Sequence, residues 1–342
     1  MKLHDIGEFG FIERIGAGGL IRPEGVVKGI GDDAAVVRSP TGQVLLVTTD
    51  LLVERVHFLR AATSGFNLGY KALAVNLSDI AAMGGTAREA FVSIAIPENC
   101  DVEYLDDLYR GMRHLAARHR VNILGGDTTG SMTDLIINVA VTGTADESEV
   151  LYRSGARVGD LICVTGTLGD SRAGLYLILN DLPADTPALQ ALFEAHILPR
   201  PCLEEGRFLA ECGAVGAAID LSDGLSSDLA HVLACSRVGA RIEDRRLPLS
   251  QDLKAFCRQF GFDPVDYALA GGEDYSLLCT VAPEAVEDVA SAYAQRFGRP
   301  LHVIGNITAG GCLERVEADG RTQVVPPSGW DHFRSRLKAK ET

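Results

Sequence analysis

Aspartate keeps falling at the end of an apolar run or inside a glycine turn in this chain, and that recurrence constrains the fold more than any other feature. The segments are "GIGDD" (Asp32, Asp33), "VLLVTTD" (Asp50), "VNILGGD" (Asp127), "GAAIDLSD" (Asp220, Asp223) and "GGED" (Glu273, Asp274). One aspartate beside a glycine is ordinary turn and cap chemistry. Several at the ends of β-prone runs point to an alternating chain whose strand ends converge on one edge, where ligands bind in the crevice beyond the strands.

The rest of the chain is consistent with such a layout. Segments 34–38 and 43–49 are β-prone and joined by "SPTG", a hairpin turn. "NLGYKALAVNLSDIAAMGG" is helical in composition and stopped by Gly84 and Gly85. A strand over 90–96, a helix over about 102–120 and two strands around "VNILGGDTTG" and "DLIINVAVTGTA" complete one α/β unit. "LYRSGARVGDLICVTGTLGDS" opens a second, with a strand over 161–165 and a turn into a helix. "GAVGAAIDLSDGLSSDLAHVLACS" then reads as strand, turn and helix, and "GGEDYSLLCTVAP" as turn and strand. With 342 residues and 46% hydrophobic content, two units are expected, over 1–147 and 148–342. The fold class is α/β of the α+β type.

The carboxylates also restrict the chemistry. Asp79 lies in "ALAVNLSDIAAM", a helix apolar on nearly every face, so it is expected to be buried and to need a charge partner or a metal. The nearest basic residue, Lys71, is about two turns away, whereas Asn76 shares the face of Asp79. Adjacent carboxylates at Asp32 and Asp33 raise the same demand. All-oxygen ligands suit Mg²⁺ or Ca²⁺ rather than zinc, and no EF-hand spacing is present. Mg²⁺ held by scattered carboxylates keeps positions for phosphate oxygens, which fits nucleotide chemistry.

Other classes are disfavoured. A formal charge of −14 repels nucleic acid and anionic membranes. The eight cysteines form no CxxC pair and read as reduced core thiols. The opening "MKLHDIGEFGFIERI" lacks a signal pattern and no run approaches the roughly 20 apolar residues that span a bilayer, so a cytoplasmic protein is expected. There is no Walker motif and no protein-kinase signature. "GAGGLI" at 16–21 fails the dinucleotide pattern and reads as a loop, either a plain linker or a cover for a ligand.

Taken in order, "GIGDDAAVV", "VTTDLLVERVHF", "YKALAVNLSDIAAMGG", "ILGGDTTG", "LYRSGARVGD", "VTGTLGDS", "IDLSDGLSSDL" and "GGEDYSLL" closely resemble the thiamine-monophosphate kinase family, of the aminoimidazole-ribonucleotide-synthetase-like (PurM-like) superfamily. The resemblance runs from about Gly29 to Trp330. It implies direct transfer of the γ-phosphoryl group of ATP to thiamine monophosphate, with several Mg²⁺ ions bridging the phosphates. It also implies a homodimer whose N-terminal strands join in a barrel-like core, with ligands between an N-terminal and a C-terminal α/β domain.

Carried onto this chain, the resemblance makes Asp33, Thr48, Thr49, Asp50, Asp79, Asp127, Asp220 and Asp223 metal ligands, with Asp32 beside them. Nucleotide contacts come from Tyr109, Gly126, Asp127, Arg153 and Ser222. Substrate contacts come from His57, Glu273 and Trp330, the only tryptophan, whose ring is suited to stack on a cationic heterocycle. Taken alone, His57 reads as a satisfied core histidine and Trp330 as core filler or surface anchor. Glu273 faces either the thiazolium charge or the aminopyrimidine. No general base is assigned, because a terminal phosphate is already an anionic nucleophile.

Related enzymes of the superfamily fit less well. A selenophosphate synthetase needs a reactive cysteine in its N-terminal loop, and none precedes Cys100; the hydrogenase-maturation relative carries a C-terminal cysteine, and this chain ends "KAKET". Aminoimidazole-ribonucleotide synthetase is the closest alternative enzyme. A non-catalytic Mg-nucleotide-binding protein is the alternative from another class.

Overall fold

The computed structural model describes residues 3–16, 22–39 and 42–329. The loop glycines 18 and 19, Pro40 and Thr41 of the hairpin turn, Trp330 and the charged tail lie outside the described residues. The first half runs α1 (Leu3–Gly16), β1 (Val26–Lys28), β2 (Ala35–Arg38), β3 (Gln43–Val53), α2 (Gly65–Ala82), β4 (Thr86–Pro97), α3 (Val102–His119), β5 (Asn122–Ser131) and β6 (Ile136–Asp146). The second runs β7 (Leu161–Val164), α4 (Asp170–Leu179), α5 (Pro187–Ile197), α6 (Leu203–Glu211), β8 (Val215–Asp220), α7 (Leu225–Ser236), β9 (Gly239–Glu243), α8 (Gln251–Phe260), α9 (Pro264–Ala270), β10 (Leu277–Val281), α10 (Val286–Phe297), β11 (His302–Thr308), β12 (Leu313–Val316) and β13 (Thr322–Val324).

Two mixed sheets result, one in each half of the chain. The first has strand order β1-β2-β3-β6-β4-β5 and the second β13-β12-β9-β11-β7-β10-β8. Only β4–β5 and β12–β9 are parallel pairs; the remainder are antiparallel. The expected convergence of strand ends on one edge is therefore only part of how the carboxylates are gathered. The carboxylates come from the middle of β3, from α2, from the loop before β2 and from the end of β8. Among the described residues the first sheet is also open, ending at β1 and β5, and is not a closed barrel.

Helix α2 is the central element. Ser64 caps it by accepting from the Asn67 N–H at 3.2 Å, its interior is rich in alanine and leucine, and Gly84 at φ 68° ends it. It packs on β3 and β6 of the first sheet and on α6 and β8 of the second half. One continuous core therefore joins Leu77, Ile80 and Met83 to Leu209, Ala218, Leu277 and Cys279. Crossing of α2 by α3 depends on Gly69, where a Cβ would lie 1.8 Å from the Leu108 carbonyl oxygen. The opposite face of the first sheet is uncovered and carries Leu45, Leu51 and Phe91, each more than a third exposed.

Candidate active site

Between the halves, three carboxylates from distant parts of the chain converge. Asp33 precedes β2, Asp79 lies in the last turn of α2 and Asp220 ends β8; one oxygen from each lies within 4.8 Å of the others. The sequence "NLSD" on α2 organises them. Asn76 accepts the Asp50 backbone N–H at 3.0 Å, Ser78 donates to Asp220 at 2.6 Å, and Asp79 accepts from the Thr48 hydroxyl. Thr48 and Asp50 share the inner face of β3 because strand side chains alternate with period two.

Asp32 and Asp33, neighbours in sequence, part company. Asp32 pairs with Lys28 at 3.1 Å and accepts the Arg153 backbone N–H at 3.0 Å. The Oδ1 of Asp33 receives the Arg153 guanidinium, from Nε at 3.1 Å and from Nη2, while its buried Oδ2 has no hydrogen-bond partner. Sequence-level reasoning gives Arg153 to the nucleotide; in this structure it is held by Asp33, the oppositely charged group nearest to it.

One arginine does not balance the acids. Burial pushes Asp33 up to about 7, with Arg153 opposing and Asp220 and Asp32 adding to the rise. Burial and the charge of Asp33 bring Asp50 to about 6. Asp220 also reaches about 6, from burial set against the hydrogen bond from Ser78 and the charge of Arg153. Asp79 is raised well above the ordinary range by burial and by Asp50, Asp220 and Asp33. Without a cation these groups bind protons at higher pH than ordinary carboxylates do, and a bound cation would favour their ionised forms. An orphaned buried oxygen on Asp33, converging carboxylates and an all-oxygen donor set fit a hard divalent cation.

The "LSDG" turn after β8 borders this cluster. Asp223 follows Asp220 by three residues, and the N–H groups of Asp223 and Gly224 donate to Asp228 at 3.1 and 3.0 Å. Asp228, 2% exposed, was not legible as a site residue; its position in the first turn of α7 was the available signal. The Ser222 carbonyl accepts the Glu273 N–H at 2.7 Å, so "GGED" is docked on this turn. Glu273 and Tyr275 both have positive φ, 63° and 49°, a conformation costly for non-glycine residues and concentrated at functional sites.

Glu273 belongs to a second buried group that sequence reasoning missed. Its Oε1 pairs with Lys71 Nζ at 2.8 Å and its Oε2 lies 3.3 Å from His196 Nδ1. Burial raises the Glu273 carboxyl, but Lys71 and His196 outweigh it and hold it below its ordinary value. His57 accepts the Val53 N–H at 2.9 Å and lines a cavity with Lys71 and His196. The following acid, Asp274, accepts the Gly169 N–H at 2.9 Å at the start of α4.

Some expected residues stand apart. Thr49 lies on the outer face of β3, where Asn138 donates to its hydroxyl at 2.8 Å, so its side chain cannot join Thr48 and Asp50. Asp127 is exposed and in register with Ser93, Asn138 and Leu51, the outer row of the first sheet. Gly126 is in the same row as Asp50 but three strands away, roughly 14 Å at the usual strand spacing. A Cβ at Gly126 would lie 1.7 Å from the Val92 carbonyl oxygen, which explains the glycine. Tyr109 packs on α3 beside Arg113, with no contact to the acid cluster among those described. Gly329 lies against Asp223 and Ser227, and the next residue, Trp330, is outside the described part.

Residues 31–145 match the family model of the AIR synthase related protein, N-terminal domain, and residues 157–316 match that of the C-terminal domain. The thiamine-monophosphate kinase of Aquifex aeolicus (strain VF5) is 36% identical over 333 residues, covering 97% of this chain and 100% of that one. The thiamine-monophosphate kinase of Haemophilus influenzae is 37% identical, covering 96% and 98%. A solved structure described as AaThiL complexed with AMPPCP and TMP superimposes with a TM-score of 0.85 at 36% identity, covering 97% of this chain and 99% of that chain.

Proposed function

Since this chain belongs to the thiamine-monophosphate kinase family, we propose that it transfers the γ-phosphoryl group of ATP to thiamine monophosphate, giving thiamine diphosphate and ADP. The observation that carries this reading is the convergence of Asp33, Asp79 and Asp220 from both halves of the chain, in a structure closely similar to one holding AMPPCP and TMP. Asp33, Thr48, Asp50, Asp79, Asp220 and Asp223 are the residues of this protomer that would hold Mg²⁺. Bound there, Mg²⁺ supplies neutralisation of phosphate charge.

The protein's own part is positioning. An oxygen of the acceptor's phosphate attacks the γ-phosphorus, the bond from that phosphorus to the β,γ-bridging oxygen breaks, and ADP leaves with the electron pair. Arg153, held by Asp33 at the edge of the acid cluster, is the basic side chain that would contact the nucleotide phosphates. Ser222 stands on the turn that carries Asp223. His57 and Glu273 border the place for the organic half of the acceptor, with Trp330 next after the segment that covers Asp223. No side chain is needed as a base, since the attacking phosphate is anionic near neutral pH.

Thr49, Gly126 and Asp127 fit this account in a homodimer. The uncovered face of the first sheet carries Leu45, Leu51 and Phe91, and β5 is its open edge. A second copy packed on that face would form a two-sheet core and cover the outer row that holds Thr49 and Asp127. Tyr109 is the remaining candidate for the nucleotide. Incubation with Mg-ATP and thiamine monophosphate is expected to yield thiamine diphosphate and ADP in equal amounts. Failure to form product, with turnover of an aminoimidazole-ribonucleotide precursor instead, would overturn the reading.

A further inference from the structure

Behind the acid cluster, the chain buries a lysine. Lys71 on α2 is 3% exposed and His196 on α5 is 5% exposed, and both line a cavity of about 80 Å³ together with His57, Phe58, Leu68 and Leu175. Lys71 Nζ lies 2.8 Å from Glu273 Oε1 and 3.5 Å from His196 Nε2, while His196 Nδ1 lies 3.3 Å from Glu273 Oε2 and 3.1 Å from the Ser171 hydroxyl. Burial and the adjacent Lys71 hold His196 down to about 4, so its ring is neutral near pH 7. A charged lysine can only donate, which makes Nε2 the acceptor and leaves the Nδ1 proton for Glu273 and Ser171. Each oxygen of Glu273 thus has one donor fixed by the protein. The carboxylate stays 26% exposed and is carried on left-handed backbone.

We propose that Lys71 and His196 are positioning residues that fix Glu273 as a hydrogen-bond acceptor for an exocyclic amino group on the substrate's heteroaromatic ring. The proposal rests on the kinase reading above and decides between the two roles open to Glu273. Lys71 already neutralises this carboxylate, so it is a poor counter-ion for a cationic ring. Its remaining lone pairs are held in fixed directions and, with a quarter of the side chain exposed, stay open to a ligand. A site of that kind discriminates by hydrogen bonding, because a ligand lacking the donor covers these oriented acceptors without pairing them.

The test compares kcat/KM for thiamine monophosphate with that for its analogue bearing hydrogen in place of the ring amino group. The wild-type enzyme is expected to favour the amino compound by at least about tenfold. In Lys71→Met and His196→Leu that preference is expected to fall at least about fivefold, with KM for ATP unchanged; His196→Asn, which keeps a donor toward Glu273, is expected to retain it. Melting curves with Mg-ATP identify a variant that fails to fold, and the two His196 variants then decide alone. Unchanged discrimination in folded variants, or no discrimination in the wild type, overturns the proposal. A wild-type protein that forms no thiamine diphosphate overturns the kinase reading instead.

Discussion

Asp79 shows how one residue links burial to chemistry. It stands in an apolar helix, accepts from Thr48 and has Asp33, Asp50 and Asp220 close enough to oppose its ionisation. Asp79→Asn removes that repulsion while keeping the side chain's size. The metal-free variant is therefore expected to be at least as stable as the wild type in urea melts, and its kcat at saturating Mg²⁺ to fall at least about a hundredfold. Loss of stability together with near-normal turnover would show Asp79 to be structural. Asp79 stands out in the sequence, because a carboxylate among alanines and leucines conflicts with its surroundings. The same reasoning could not locate Lys71 and His196, which meet Glu273 only in three dimensions, 202 and 77 positions away (273 − 71 and 273 − 196).

At the level of elements, α2 carries the site, since Asn76, Ser78 and Asp79 each hold a different strand or loop. Its seating against α3 depends on Gly69. Gly69→Ala forces a methyl group onto the Leu108 carbonyl and is expected to cost about 3 kcal/mol in denaturant melts, with KM for ATP rising as α2 shifts. A variant as stable as wild type would mean that the crossing is not close in solution. The extent of α2 was legible in composition and in the glycines after it. The faces of β3 and β5 were not, because period two assigns a face only when the partner strand is known. Thr49 and Asp127 are metal ligands only by the resemblance, and register puts both on the outer face, away from Thr48 and Asp50.

For the whole molecule, the same carboxylates set pH dependence. Asp33, Asp50 and Asp220 titrate at about 7, 6 and 6 in the folded chain but near 3.8 when unfolded, so the native state binds more protons. Stability without metal must then fall as pH rises through about 6 to 7. Neutral His196 and His231 act in the opposite sense only below the ordinary histidine value of 6.5. Between pH 6.5 and 8 the metal-free protein is expected to lose melting temperature, and Mg²⁺ to restore more of it at pH 8 than at pH 6.5. A flat profile would place the carboxylates in solvent. The dimer has its own check. Mixed and reassembled Asp50→Ala and Asp127→Ala chains are expected to recover about a quarter of wild-type activity if Asp127 acts across the interface, and none if both act within one chain.

The central claim is that Asp33, Asp79 and Asp220 form one cation site. Calorimetric titration of Mg²⁺ into the wild-type protein with a non-hydrolysable ATP analogue, repeated in buffers of different ionisation enthalpy at pH 6.5, measures both binding and proton release. The account predicts binding with net release of protons, and loss of both when the three aspartates are replaced by asparagine. Binding that persists in the triple variant, or binding by the wild type with no proton release, would contradict it.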